Sequence, residues 1–347
     1  MSEGAASAAD LETLYRSEMA DWLARQDARV VRAKRNRWFV LFGGLAIAAG
    51  IMWWGITRDI GGDFPPYVAF GIGLVSIAYF WLSVGEIGDE VRHFMLGKLA
   101  TFFGFAYESS AKDFNTERYA LLGVAGGTPH FKDRLAGKAD GLDFEFAAGR
   151  VVDSEKSLSG NGTKTRERFT GLLMRLADPA PPKASFRVVP TGGSRQTSLQ
   201  NVTRVMHIDA KRAAALGTQG VKEMEREFFS RTGPEESPPV KTGDGEFDAM
   251  FELHAEAADA EIARARLTPQ TRRALIEIAG FFEGAAVSAG FDSGEVLLAF
   301  ATTRRFEIGP LRPPMAQFER VKHLADQVSL VPEIARRLRA AASSEGG

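Results

Sequence analysis

Two uncharged apolar runs near the start of the chain dominate its hydrophobic pattern. Residues 38–57 read WFVLFGGLAIAAGIMWWGIT and residues 67–85 read YVAFGIGLVSIAYFWLSVG, with no Asp, Glu, Lys, Arg or His in either. At a helical rise of about 1.5 Å per residue, each is long enough to cross roughly 30 Å of hydrocarbon. The pattern predicts a transmembrane hairpin, 38–57 and 67–85, joined by a short polar turn. The first run starts only after a long charged segment, and no small-residue cleavage site closes it, so it reads as a retained anchor. The only polar side chains in the runs are Thr57, Ser76 and Ser83, which argues for an anchor over a pump or channel. Gly44 with Ala48, and Ala69 with Gly73, have the small-xxx-small spacing that lets helix backbones approach. Packing the two helices of the hairpin together is its simplest use.

The flanking segments carry other periods. In residues 10–36, Leu11, Tyr15, Trp22, Gln26 and Val30 recur at three- and four-residue steps, with Leu14 and Leu23 beside them. Residues 1–37 therefore read as an amphipathic helix ending in a basic juxtamembrane segment. Residues 86–106 read as a juxtamembrane helix, with Val91, Met95, Leu99 and Phe102 on one stripe. From about residue 131 the period becomes two. Residues 142–151 alternate Leu142, Phe144 and Phe146 with Asp143 and Glu145, and 169–177, 185–190 and 202–208 are further strand candidates. Two polar stretches, 153–168 and 231–246, read as long loops. Thr268 is an N-cap with Pro269 behind it, and Leu275, Ile278, Ala279 and Phe282 form one helical face that Gly284 should end. Asp292-Ser293-Gly294 supplies hairpin-turn chemistry, and two helices, 314–327 and 331–342, close the chain. The predicted class is α+β: an N-terminal two-helix transmembrane hairpin, then a domain (107–347) of mainly antiparallel strands with helices added toward the C-terminus.

Composition narrows the function. The net charge is −1 and there is no Cys among 347 residues, which excludes disulfides, thiolate catalysis and Cys-ligated zinc. All five Trp and all five Tyr lie before residue 120, and Trp38, Trp53, Trp54 and Trp81 fall in the runs, mostly near their ends, as interfacial anchors would. The segment before Trp38 carries Arg25, Arg29, Arg32, Lys34, Arg35 and Arg37, whereas the turn carries only Arg58. Positive-inside bias puts the N-terminus in the cytoplasm, and two crossings return the chain there. Arg29, Arg32, Lys34, Arg35 and Arg37 suit anionic lipid headgroups. Nucleic acid is disfavoured, because the domain that follows is not basic.

Catalytic chemistry leaves little trace. His93, His130, His207, His254 and His323 are scattered, and none stands at a metal-ligand spacing. The Gly-rich stretches at 126–129 and 160–164 lack the phosphate-loop pattern. Ser109 and Lys112 match S-x-x-K without its partner motifs. No cofactor is expected, and the chain leans away from being an enzyme. An enzyme built from dispersed groups would draw on Glu145, Asp153, His207 and His254.

Several segments carry a family likeness: DRLAGKADGLDFEFAAGRV at 133–151, RFTGLLMRL at 168–176, FDAMFELH at 247–254, ARARLTPQTRRAL at 263–275, GFDSGEVLLAF at 290–300 and RRFEI at 304–308. In these the chain resembles a bacterial membrane-protein family known only as domain of unknown function 3137, from the two spans to about residue 310. The resemblance implies an N-terminal anchor and a soluble α+β domain, and no activity. The expected protein is a multi-pass inner-membrane protein, N-in/C-in, whose cytosolic domain is an interaction or scaffold module. Its partners would be membrane lipids and another protein, with a homo-oligomer left open. The alternatives are the dispersed-site enzyme and an accessory subunit of a membrane transport or envelope complex.

Overall fold

The computed structural model describes residues 8–57, 64–82, 85–156, 163–178, 184–191, 239–282, 285–302, 306, 308 and 312–343. They form an α+β structure that divides into two compact units, Met1–Tyr107 with Phe306–Ser329, and Glu108–Arg305 with Leu330–Gly347.

The first unit is helical. Helix α1 (Ala8–Leu14) passes through a π-helical turn (Tyr15–Met19) into α2 (Ala20–Thr57), followed by α3 (Phe64–Leu82) and α4 (Gly85–Phe102). The amphipathic segment and the first apolar run are thus one helix of 50 residues, about 75 Å long at 1.5 Å per residue. Its buried stripe is Leu11, Met19, Leu23, Gln26 and Val30. Met19 lies on the stripe at the ordinary four-residue step before Leu23. Helix α4 contributes Ile87, Val91, Met95, Leu96 and Leu99, and the start of the last helix, α8 (Phe318–Ser343), contributes Val321, Leu324 and Val328. Trp22 stacks on Phe94 with centroids 4.0 Å apart, and Tyr15 meets Phe318 at 5.6 Å. Lys98–Glu18 (2.6 Å) and Arg29–Glu90 (2.8 Å) rim the contact, and the Met315 N–H donates to Asp27 Oδ1 at 2.6 Å.

The second unit is built on an eight-stranded sheet. Its strands are β1 (Ala106–Ser110), β2 (Thr128–Ala139), β3 (Leu142–Lys156), β4 (Thr163–Ala177), β5 (Phe186–Pro190), β6 (Phe251–Ala255), β7 (Ala286–Asp292) and β8 (Glu295–Ala301), in the order β1-β2-β3-β4-β8-β7-β5-β6. The ladders with a determined register are antiparallel. The connections include α5 (Gly245–Met250), α6 (Ala260–Arg266) and α7 (Pro269–Ala279). Two hairpins close on two-residue turns whose residues both have positive φ, Asp140-Gly141 (50° and 78°) and Ser293-Gly294 (49° and 81°). That is the turn whose twist matches paired strands, and it explains Gly at each second position.

Each sheet face has its own cover. One face carries Phe186, Phe291, Phe300, Leu298, Met174 and Phe146, all buried. Phe282, beyond α7, packs on Phe300 (4.6 Å), and Arg266 of α6 lies over Phe291 (5.4 Å). The Arg266 guanidinium also meets the buried Asp178 carboxylate at 2.8 Å. The other face carries Ala147, Val151, Leu173, Leu297 and Ala299, covered by a strap, residues 111–124, that packs in Phe114, Tyr119 and Val124. The strap contains a 3-10 turn (Thr116–Leu122). Gly290 lets it close down, because a Cβ there would lie 3.2 and 3.3 Å from Leu121 and Leu122.

Several expected boundaries move. Of the loop expected at 153–168, residues 157–162 lie outside the described residues and the rest is strand, since the β3–β4 ladder runs out to Lys156↔Thr163. Backbone pairing carries it past the apolar core, and polar residues hide that from a hydrophobic pattern. In the expected loop 231–246, residues 231–238 lie outside the described residues, but Val240 bridges to Leu253 and Asp244 caps α5. The two C-terminal helices are one, α8, with Pro332 inside. A proline removes a single N–H bond, and the buried Val328, Val331, Ile334 and Ala335 continue one stripe across it. Helix α7 starts at the Thr268 cap, whose Oγ1 accepts from the Thr271 N–H, but it ends at Ala279; Gly284 lies outside the described residues. The strand candidate 202–208 also lies outside them.

The Arg266–Asp178 pair tests this core. Arg266→Met leaves a buried carboxylate without its cation and should cost about 3 kcal/mol, whereas Arg266→Met with Asp178→Leu should cost clearly less. Amide exchange of β4 and β8 in the full chain reads this out. Equal losses would contradict the assignment.

Candidate functional site

The most unusual surface belongs to α2 and α3. Among the described residues, sixteen of the nineteen large hydrophobic side chains that are exposed lie between Trp38 and Tyr79. Phe39 (70 %), Trp53 (71 %) and Ile56 (72 %) are examples. Water-soluble surfaces scatter such residues singly, whereas a contiguous apolar surface marks an interaction site. What α2 and α3 turn to each other is small. A Cβ on Gly44 would sit 2.8 Å from Ser76 Cβ, so Gly44 sets the approach of the two helices. Ala69 and Ser76 are buried, Ala48 is half-buried, and Ser76 Oγ donates to Ile72 O (2.8 Å). A Cβ on Gly73 would meet nothing within 4 Å. Among the described residues, two helices are long and apolar enough to cross a membrane, by length and composition.

Where the apolar half of α2 begins, aromatic and cationic groups collect. Trp38 stacks on Phe42 (5.5 Å) and meets Phe80 of α3 edge-on (5.0 Å). The Arg37 guanidinium lies over Phe80, 4.6 Å from the ring centroid. Trp54 is exposed, and Trp81 belongs to α3. Arg32 and Arg35 are exposed, Lys34 is half-buried, and Arg29 is paired with Glu90.

In the second unit, a line of alternating charges crosses the strap-covered face. Glu108–Arg134 (3.1 Å), Arg134–Glu145 (2.7 Å), Glu145–Arg175 (3.5 Å), Arg175–Glu295 (3.0 Å) and Glu295–Arg118 (2.8 Å) link β1, β2, β3, β4, β8 and the strap. The register sets part of it, since Glu145 stands opposite Arg175. Tyr119 lies almost fully buried beside this line, and its Oη has no hydrogen-bond partner among the described residues. Burial, then the Glu145 charge, pushes the Tyr119 phenol well above its ordinary value, with Arg175 opposing. Each carboxylate of the line is met by a guanidinium. The arrangement clamps the strap to the sheet and leaves no member as an obvious general base or metal ligand.

The four groups considered for a dispersed catalytic site do not converge. Glu145 and Asp153 share β3 but stand eight residues apart, roughly 27 Å along a strand. Asp153 holds Arg168 (3.0 Å), which also donates to Ala125 O (2.9 Å). His254 is buried on β6, in register with Arg187 and 3.5 Å from Glu252. His207 lies outside the described residues. No group of three or more His, Asp or Glu is placed to hold a metal ion, among the described residues. Pattern reading missed Arg118, Tyr119, Arg134, Arg175 and Glu295. The signal was a charge at the odd positions of strands whose even positions are apolar, as in Arg175 between Met174 and Leu176.

Residues 167–340 match the family described as Protein of unknown function (DUF3137). The chain belongs to that family. The DUF3137 match takes in β4 through most of α8, including the Thr268 cap and the Ser293-Gly294 turn, and ends beyond the expected limit near residue 310. It includes neither α2 and α3 nor the segment 133–151, so the family does not itself speak for the apolar pair. No curated protein matches the sequence. One solved structure, the crystal structure of the mycobacterial trehalose monomycolate transport factor A, TtfA, is similar over 71 % of this chain and 95 % of its own. Its identity is 11 % and its TM-score 0.34, a likeness too slight to carry an argument.

Tyr119→Phe tests the clamp. Removing a buried hydroxyl that has no partner should leave stability unchanged or raise it by up to about 1 kcal/mol. The unfolded phenol ionises near pH 10.0 while the folded one keeps its proton, so this group's contribution is lost as pH rises above that value. The variant should therefore lose less stability than the wild type in alkaline solution, in thermal melts followed by circular dichroism. A loss of 2 kcal/mol or more at neutral pH would mean that the hydroxyl is satisfied.

Proposed function

We propose that this protein is a membrane-anchored interaction module. The apolar half of α2 and the whole of α3 form a hairpin across the bilayer, and the α+β unit works on the cytoplasmic side as a surface for a protein partner. The observation that carries the reading is the concentration of exposed large apolar side chains on these two helices. Residues 38–57 and the 19 residues of α3 each supply about 29–30 Å of helix, matching the hydrocarbon thickness. The two spans bury small residues inward and carry no Asp, Glu, Lys, Arg or His, as an anchor does and a transport pathway does not. Arg32, Arg35 and Arg37 precede the first span and only Arg58 lies in the turn, which supports an N-in/C-in orientation in an inner membrane. The paired charges and the absence of convergent His and carboxylate groups among the described residues favour interaction over catalysis.

Ile47→Asp and Val75→Asp separate this reading from a water-exposed hairpin. Both positions are exposed, at 57 % and 70 %. On a wetted surface each change would be nearly neutral, within about 0.5 kcal/mol. At the centre of a span, Asp costs about 3 kcal/mol of insertion. The full chain should float with liposomes and resist carbonate extraction, and the double variant should lose most of both. A double variant that partitions like the wild type would contradict the anchor.

A further inference from the structure

The basic segment ahead of the apolar half of α2 is not uniform. Arg29 is engaged by Glu90 and Gln26, each at 2.8 Å. Arg25, Arg32 and Arg35 are exposed. Arg37 differs from all of them. It is half-buried, its guanidinium carbon lies 4.6 Å from the Phe80 centroid and 5.8 Å from that of Trp38, and its Nε is buried with no hydrogen-bond partner among the described residues. No carboxylate among them lies within ion-pair distance of it. The ring contacts favour the cation but leave its donors unused, because those point outward in the guanidinium plane. Only Nε is buried, so the terminal amino groups of Arg37 are open to an acceptor from outside the chain.

The position says which acceptor. Arg37 stands one residue before the uncharged run begins. In a spanning hairpin that is headgroup level, where the abundant anion is the phosphodiester of a phospholipid. Its two non-ester oxygens fit the fork of a guanidinium. Trp38 and Phe42, stacked on the apolar side of Arg37, are placed to meet the start of the acyl chains. We infer that Arg37, held over Phe80 beside Trp38, is the binding site for the phosphodiester of one phospholipid. This rests on the anchor reading, and it goes further by separating Arg37 from the diffuse attraction of Arg32 and Arg35.

The test uses the full chain in nanodiscs of phosphatidylglycerol and phosphatidylcholine, 1:1, doped with dioleoylglycerol. After transfer to mild detergent, native mass spectrometry counts the lipid that stays bound. Wild type should keep one phospholipid and no dioleoylglycerol. Arg37→Gln should lower retention at least tenfold, Phe80→Leu about threefold, and Arg35→Gln not at all. Circular dichroism shows that each variant is folded. Equal retention by wild type and Arg37→Gln, or equal loss in Arg35→Gln, overturns the site while leaving the anchor intact. A wild type that does not enter nanodiscs overturns both.

Discussion

The structure depends on where the large apolar side chains of two helices can go. α2 and α3 spend their small residues on each other and turn Phe, Trp, Ile and Leu outward. Burying one such side chain is worth about 1.5–3 kcal/mol, so sixteen of them amount to tens of kcal/mol left unused while the pair faces water. That exceeds the whole stability of an ordinary domain, about 5–15 kcal/mol. Insertion in a bilayer, as proposed, would remove the deficit without any new protein contact. The rest of the first unit follows from it. α2 continues unbroken from the apolar run into a charged amphipathic helix, which packs on α4 through Trp22 and buries Leu23 and Val30.

The second unit solves a different problem. A broad antiparallel sheet with two apolar faces needs a cover on each. Helices serve one face, and the Arg266–Asp178 pair ties α6 to the end of β4 there. A fourteen-residue strap serves the other. A strap has little area, so the charged line from Glu108 to Arg118 adds direction where burial alone would not fix it. Partly exposed pairs contribute modestly to stability. Their value here lies in register and placement.

Elements whose signal is local were legible in the sequence. The two apolar runs, the Thr268-Pro269 start of α7, the Asp292-Ser293-Gly294 hairpin and the alternation of β3 all appear as anticipated, because each rests on a few neighbouring residues. Elements that depend on partners were not. The π-helical turn at Tyr15–Met19 has no composition that marks it. The polar ends of β3 and β4 are strand only because they pair with each other. The break expected between 327 and 331 is overridden by a continuous buried stripe. Of the candidate site, Glu145 was visible as a charge on a strand, but its partners Arg134 and Arg175 emerge only from the register. Arg37 was visible as one of six cations, and its contact with Phe80 only from the pairing of α2 with α3.

The absence of cysteine makes the most direct measurement clean. Single cysteines placed at Arg25, Ile60 and Gly347 in the full chain can each be probed with a membrane-impermeant maleimide in intact cells and again after lysis. A hairpin that crosses the membrane twice predicts labelling of Ile60→Cys in intact cells, and of Arg25→Cys and Gly347→Cys only after lysis. Equal labelling of all three in intact cells, or protection of all three until lysis, would contradict it.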